Sequence, residues 1–258
     1  MIKNILESAN IAFSMYSIIP MLRIDWNSQN MKYALCYLPC IGLVIGALQG
    51  VMLWGLSQYT ELNSILLAAF AVLLPVLITG GIHMDGFCDT MDAIGSHQTI
   101  EKKLEILKDS NSGAFAVIGC ASYFIMSFAA WYSAIDLCGT AAFWTLMLTF
   151  TLSRSLSGLA IVSFKCAKNS GLVSMFAKAA DRKKARIVLA IWVVLTSCAM
   201  LLISVKTGVL CILTAALVFG CYYRMCMKQF GGVTGDLAGF FLQNCELLMC
   251  LAAAIGGI

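Results

Sequence analysis

At 258 residues, 60% hydrophobic and 12% charged, with a mean hydropathy of +0.88, the chain is far more apolar than a soluble domain, whose charged fraction is about 25%. The deficit excludes an ordinary water-soluble enzyme and points to lipid as the solvent. The net charge of +4 says little by itself, and no nucleic-acid partner is expected.

Taken in chain order, the stretch 4–20 differs from all that follows. Glu7, Asn10, Ser14 and Ser17 form a polar stripe at helical spacing, opposite Ile11, Phe13, Met15 and Ile18, so this segment is expected to lie in the membrane interface rather than to cross it. No small-residue cleavage site follows its apolar part, and Glu7 and Asn10 interrupt it, unlike a signal peptide. Apolar runs of spanning length then occur at about 33–57, 62–82, 113–134, 140–163, 187–205, 208–227 and 236–257. The fold class is therefore all-α: a polytopic membrane protein of about seven transmembrane helices plus an N-terminal interfacial amphipathic helix. With three prolines and no low-complexity tract there is no linker, and 1–258 reads as a single integral-membrane domain.

Charge sets the orientation. Of the 17 Lys and Arg residues, all but Lys206 and Arg154 fall on one side of the alternating spans, and Arg154 lies within a span. By the positive-inside bias that side is cytoplasmic, in the cell (inner) membrane. The twelve cysteines form no CxxC pair and mostly sit in apolar runs, and only His83 and His97 supply imidazole. They read as small apolar packers in reduced surroundings rather than as a zinc site.

Three polar constellations face the basic side. In "TGGIHMDGFCDTMDAIGS", Asp85, Asp89 and Asp92 are spaced i, i+4, i+7, which on a helix places three carboxylates on one face. Such like charges need a cation, and a Dx3Dx2D face suits a hard ion such as Mg²⁺ that also keeps phosphate ligands. In "KLEILKDSNSGAFAV", Asp109 or Ser110 either caps the following span or, with Lys108, helps a helix N-terminus receive a phosphate. In "FGGVTGDLAG", Gly231, Gly232 and Gly235 allow amides to converge on an anion, with Thr234 and Asp236 at the mouth of the last helix; helix capping is the plainer reading. Arg154 must pair with a carboxylate, with carbonyls or with a substrate phosphate. Lys168, in the basic loop 164–186, is a candidate for a substrate anion. His83 is a general base or a packed, hydrogen-bonded histidine. Together these groups suggest phosphoryl-type transfer at a membrane surface, and the absence of GxxxxGK[ST] excludes a P-loop enzyme.

"GGIHMDGFCDTMDAIGS", "KLEILKDSNSGAFAV" and "GGVTGDLAGFFLQNCE", in this order and spacing, resemble the cobalamin synthase family (adenosylcobinamide-GDP ribazoletransferase), with "SRSLSGLA" and "KCAKNSGLVSMF" similar to its middle region. The resemblance covers nearly the whole chain. It implies a Mg²⁺-dependent multi-pass enzyme that joins adenosylcobinamide-GDP to α-ribazole, or to its 5′-phosphate, and releases GMP in the last assembly step of adenosylcobalamin. A complex with earlier corrinoid-assembly enzymes is a further expectation. In these terms Asp85, Asp89 and Asp92 would hold Mg²⁺ on the diphosphate, Lys108 and Arg154 would spread its charge, and Asp109 or His83 would take the hydroxyl proton. The chain departs from the family pattern at Ile18 and Leu22, at Lys168-Asn169, and at Gln243, which stands where Glu is usual while Glu246 is kept.

Two other readings compete. CDP-alcohol phosphotransferases also place aspartates at a membrane interface, but their DGxxARx8Gx3Dx3D pattern is not met by "DGFCDTMDAIGS". A cation transporter would use intramembrane carboxylates near the bilayer midplane.

Overall fold

The computed structural model describes residues 2–22, 24–167 and 171–256, and only the backbone of residues 2, 3 and 5. Twelve α-helices are seen among them: α1 (Ile2–Tyr16), α2 (Leu38–Tyr59), α3 (Ser64–Ile78), α4 (Ile82–Gly95), α5 (Ile100–Ile106), α6 (Ala114–Leu137), α7 (Thr140–Met147), α8 (Thr149–Ser163), α9 (Leu172–Ala179), α10 (Arg182–Ile203), α11 (Val205–Met225) and α12 (Gly235–Gly256). A 3-10 turn, Ala34–Tyr37, leads into α2, and a π-helical turn, Cys226–Phe230, ends α11. No strand occurs among the described residues.

Six helical stretches are long and apolar enough to cross a bilayer: 34–59, 114–137, 140–163, 182–203, 205–230 and 235–256. A seventh crossing is present if α3 and α4 are counted as one broken span, bent by 94°. The sequence places a straight run at 62–82, and the structure corrects its end. Gly80 and Gly81 adopt left-handed conformations (φ +62° and +78°), which only glycine takes readily. They turn the chain after Ile78, so α4, with three carboxylates in its 14 residues, leaves the line of α3 and packs against α12 and α6.

At the centre stands α8, buried along most of its length. Its contact with α2 is glycine-made. A Cβ at Gly42 would lie 2.2 Å from the Phe150 carbonyl oxygen, and one at Gly46 only 2.1 Å from that of Met147. Without a hydrophobic drive between helices in lipid, such small-residue stripes let backbones approach and dispersion forces act. Toward the lipid, α10 and α11 expose Ile191, Leu195, Leu213 and Leu217. One hydrophobic cluster runs from Ile11 on α1 to Ala254 on α12.

The amphipathic reading of the N-terminal segment needs revision. α1 ends at Tyr16, and Asn10, assigned to its polar stripe, is buried, its amide oriented to pair with both backbone groups of Leu22. Ser8 is buried too, donating to the Asn30 carbonyl at 2.5 Å. Ile18, assigned to the apolar side, lies beyond the helix and is 66% exposed. These polar groups serve the loop that folds back under α1, because its backbone amides and carbonyls have no helix or sheet of their own.

Replacing Gly42 by leucine should wedge α2 from α8 and lower stability by about 1–3 kcal/mol, seen as an earlier thermal transition in detergent. With α1 on the basic face and seven crossings, reporters on the N- and C-termini should read on opposite sides of the membrane.

Candidate functional site

The aspartate helix owes its position to glycine. A Cβ at Gly86 would lie 2.7 Å from the Asp236 Cα, and one at Gly239 2.8 Å from the His83 carbonyl oxygen, so α4 rests backbone to backbone on the first turns of α12. Phe87 stacks on Phe240 (centroids 5.4 Å apart, 15° between planes) and leans on Tyr123 of α6. The expected carboxylate face exists, but its members are put to different uses. Asp85 is exposed, and Asp89 is half-buried one turn on. Asp92 reaches the N-terminus of α6, where its two oxygens accept hydrogen bonds from the amides of Gly113 (2.5 Å) and Ala116 (2.8 Å). A carboxylate there satisfies otherwise unpaired N–H groups and suits the helix dipole. Asp92 is thus a cap supplied by another helix, not a free metal ligand. It also takes the capping role that the sequence offered to Asp109 or Ser110.

Beside α4 lies a cavity of about 410 Å³, enclosed by α1, α4, α8, α9, α12 and the turn before α12. Asp85, Lys108, Thr234, Gly235, Asp236 and His83 all line it, so six of the expected site residues meet at one place. The Thr234 hydroxyl caps α12, accepting from Leu237 N–H (3.2 Å), and lies 3.4 Å from Asp236 Oδ2. His83 is 5% exposed, and its ring stacks near that of Tyr16, 6.1 Å between centroids. Burial, with the Arg154 charge second, pushes its imidazole down to about 3, so it is neutral at pH 7 and a weak base.

Asp89 shows the opposite shift. Burial first, then the charges of Asp85, Asp236 and Asp92, raise its carboxyl to about 7. These acids therefore converge, and each makes ionising Asp89 more costly. Among the described residues no three His, Cys, Asp or Glu side chains stand close enough to hold a metal unaided. A Mg²⁺ ion commonly uses one or two carboxylates and completes its shell with water and phosphate. Asp85 and Asp89 fit that need, with Asp236 close by.

Other expected site residues are placed elsewhere. Arg154 is buried away from the cavity and donates to Glu246 Oε1 at 2.6 Å, to which Ser153 also donates at 2.7 Å. This ion pair spends the cation that the sequence left open to a phosphate. Asp109 is exposed, its Oδ1 accepting from Asn111 backbone and side-chain N–H, and those bonds hold its carboxyl below the usual range. That makes it a poor proton acceptor. Ser110 is exposed and does not line the cavity. Gly231 turns the chain in a left-handed conformation (φ +71°). Gly232 allows close approach to residues 165–167, with Val233 N–H donating to Lys165 O (2.8 Å) and Ala167 N–H to Val233 O (3.0 Å). The Gly232 amide donates to Cys226 O, so this part of the turn is braced by backbone pairing, while Gly235 lines the cavity. Lys168 lies outside the described residues. The sequence reading missed Ile161, Ala238 and Leu242 as lining groups, because buried apolar positions carry no chemical signature.

Alanine at Asp92 should lower thermal stability by about 1 kcal/mol through loss of the cap. The raised carboxyl of Asp89 contributes stability below about pH 4 that is lost as pH rises toward 7, since the folded state then holds a proton that the unfolded chain releases. Titration of the metal-free protein by carbon NMR should place Asp89 near 7, and Asp85→Asn should lower it.

The model of the family described as cobalamin-5-phosphate synthase matches residues 8–254. The adenosylcobinamide-GDP ribazoletransferase of Lachnoclostridium phytofermentans is 45% identical over 250 residues, covering 97% of this chain and 94% of the relative. Those of Clostridium botulinum (strain Alaska E43) and Clostridium perfringens (strain 13) are 31% and 30% identical, over 98% and 96% of this chain and 99% and 98% of theirs. No solved structure matches. A family match across the span that holds every part of the cavity, with relatives of the same length and one name, makes the chain a transferase that belongs to the cobalamin-5-phosphate synthase family.

Proposed function

We propose that this transferase joins adenosylcobinamide-GDP to α-ribazole, or to its 5′-phosphate, with release of GMP, using Mg²⁺ at the cytoplasmic face of the cell membrane. The observation that carries the proposal is that Asp85, Asp236 and Lys108 all line one largely apolar cavity, beside a half-buried Asp89. A diphosphate and a hydrophobic nucleoside need these two environments side by side.

Atoms balance as follows. A ribose hydroxyl of the acceptor attacks the phosphorus that stays with cobinamide, the bond from that phosphorus to the bridging oxygen breaks, and GMP leaves with the electron pair. Asp85 and Asp89 would hold Mg²⁺, which when bound supplies charge neutralisation on the diphosphate. Lys108, at the cavity mouth, places a point charge against the phosphate oxygens. The hydroxyl proton needs an acceptor. His83 is too weak a base and Asp109 is exposed outside the cavity. Asp236, at the start of α12, lines the cavity with Asp85 and is the carboxylate assigned to take it.

The transporter reading finds no support in the interior. Glu246, the deep carboxylate it would need, is paired with Arg154 and Ser153.

Purified protein in liposomes should release GMP from adenosylcobinamide-GDP and α-ribazole only with Mg²⁺. Asp85→Asn and Asp89→Asn should each lower kcat at least about 100-fold, as loss of transition-state charge stabilisation does elsewhere. Arg154→Lys should reduce the yield of folded protein more than kcat. Folded wild type that releases no GMP with either form of ribazole would sink the proposal.

A further inference from the structure

A second, much smaller cavity, of about 20 Å³, lies where α3, α6, α8 and α12 meet. Polar side chains reach this otherwise apolar space from two sides: Ser127 from α6, and Gln243 and Glu246 from α12. The Ser127 hydroxyl is 5% exposed and, although near the Tyr123 phenol, has no partner in hydrogen-bonding geometry. Gln243 is 6% exposed. Ser153 and Arg154 both donate to one oxygen of Glu246, Oε1, so its Oε2 has no share in that pairing. The backbone adds a further group. Pro75 stands in the last turn of α3 and has no N–H, so the Ala71 carbonyl four residues back loses its helical donor. Both residues line the cavity, and Ala71 is fully buried. Lipid offers no replacement donor, so a carbonyl freed by proline within a bilayer must find one inside the protein.

We infer that this cavity is the binding site of one water molecule, which donates to the Ala71 carbonyl and to Glu246 Oε2 and accepts from the Ser127 hydroxyl and the Gln243 amide. The size fits, since a buried water needs at least about 10–15 Å³ of such space and two to four polar partners. The charge fits as well. Arg154 and Glu246 neutralise each other, so a neutral guest is matched, whereas a monovalent cation would meet a guanidinium already bonded to the carboxylate that lines the space. The water acts as a cross-brace between helices far apart in sequence. Pro75 comes just before the elbow at Gly80 and Gly81, and α6 and α12 are the helices against which α4 packs. Through one molecule the end of α3 is tied to both of them, ahead of the turn that leads to the aspartates.

The test uses the full chain and needs no substrate. A structure in lipid nanodiscs, at a resolution that shows waters, should carry a density peak about 3 Å from both Ser127 Oγ and the Ala71 carbonyl oxygen. Thermal unfolding gives an independent reading. Ser127→Ala should lower the midpoint by about 2–4 °C if the hydroxyl is bridged, whereas loss of a hydroxyl without a partner leaves it unchanged or raises it. Pro75→Ala returns an N–H to the Ala71 carbonyl, so in that background the loss caused by Ser127→Ala should shrink by about half. If the Pro75 variant fails to fold, the density and the Ser127→Ala midpoint decide between them. An absent peak together with an unchanged or raised midpoint would overturn the site, as would equal losses in the two backgrounds. A wild-type midpoint that climbs with Na⁺ but not with choline at equal ionic strength would assign the cavity to a cation and equally overturn it.

Discussion

At Gly86 and Gly239 no side chain separates the backbone of α4 from that of α12, and the arrangement of the basic face follows from that contact. It draws Asp236 toward Asp85 and Asp89 and so concentrates negative charge around Asp89. Three constraints hold α4 in this position against the repulsion. The left-handed turn at Gly80 and Gly81 breaks it from α3, Asp92 fastens its far end to α6, and Phe87 fills the space between α12 and α6. Acids held together in this way bind a cation better than freely moving ones, because the cost of bringing them together is met on folding.

The membrane interior carries its own polar arrangement. Arg154, Ser153 and Glu246 form a buried polar group between α8 and α12, with the arginine 2% exposed. Removing either charged partner leaves the other stranded, which costs far more than the pair itself is worth. Its placement below His83 has an electrostatic effect as well, since the arginine charge helps keep that imidazole neutral.

Run length made the spans legible, because it follows from lipid as a solvent rather than from any particular contact. The elbow after Ile78 was hidden, since Thr79, Gly80 and Gly81 are small enough to pass within an apolar run. The i, i+4, i+7 face was readable, yet its division was not: a cap given by Asp92 to a helix 21 residues away has no local signature. Gly42, Gly46 and Gly50 stood in the sequence at four-residue spacing, the signal for close helix packing, and would have paired α2 with a partner had that spacing been weighed. Arg154 and Glu246 were both visible as deep charges. Their pairing joins positions 92 residues apart, and only the fold brings them together.

The meeting of α4 with α12 bears on how the protein is made. About 140 residues separate the two helices in the chain, and of the twelve helices described α12 is made last. Until it inserts, α4 has no floor, Asp236 is absent from the acidic group and the cavity lacks its longest wall. The cavity is therefore completed late: a nascent or truncated chain can thread its earlier helices through the bilayer and still hold no such cavity.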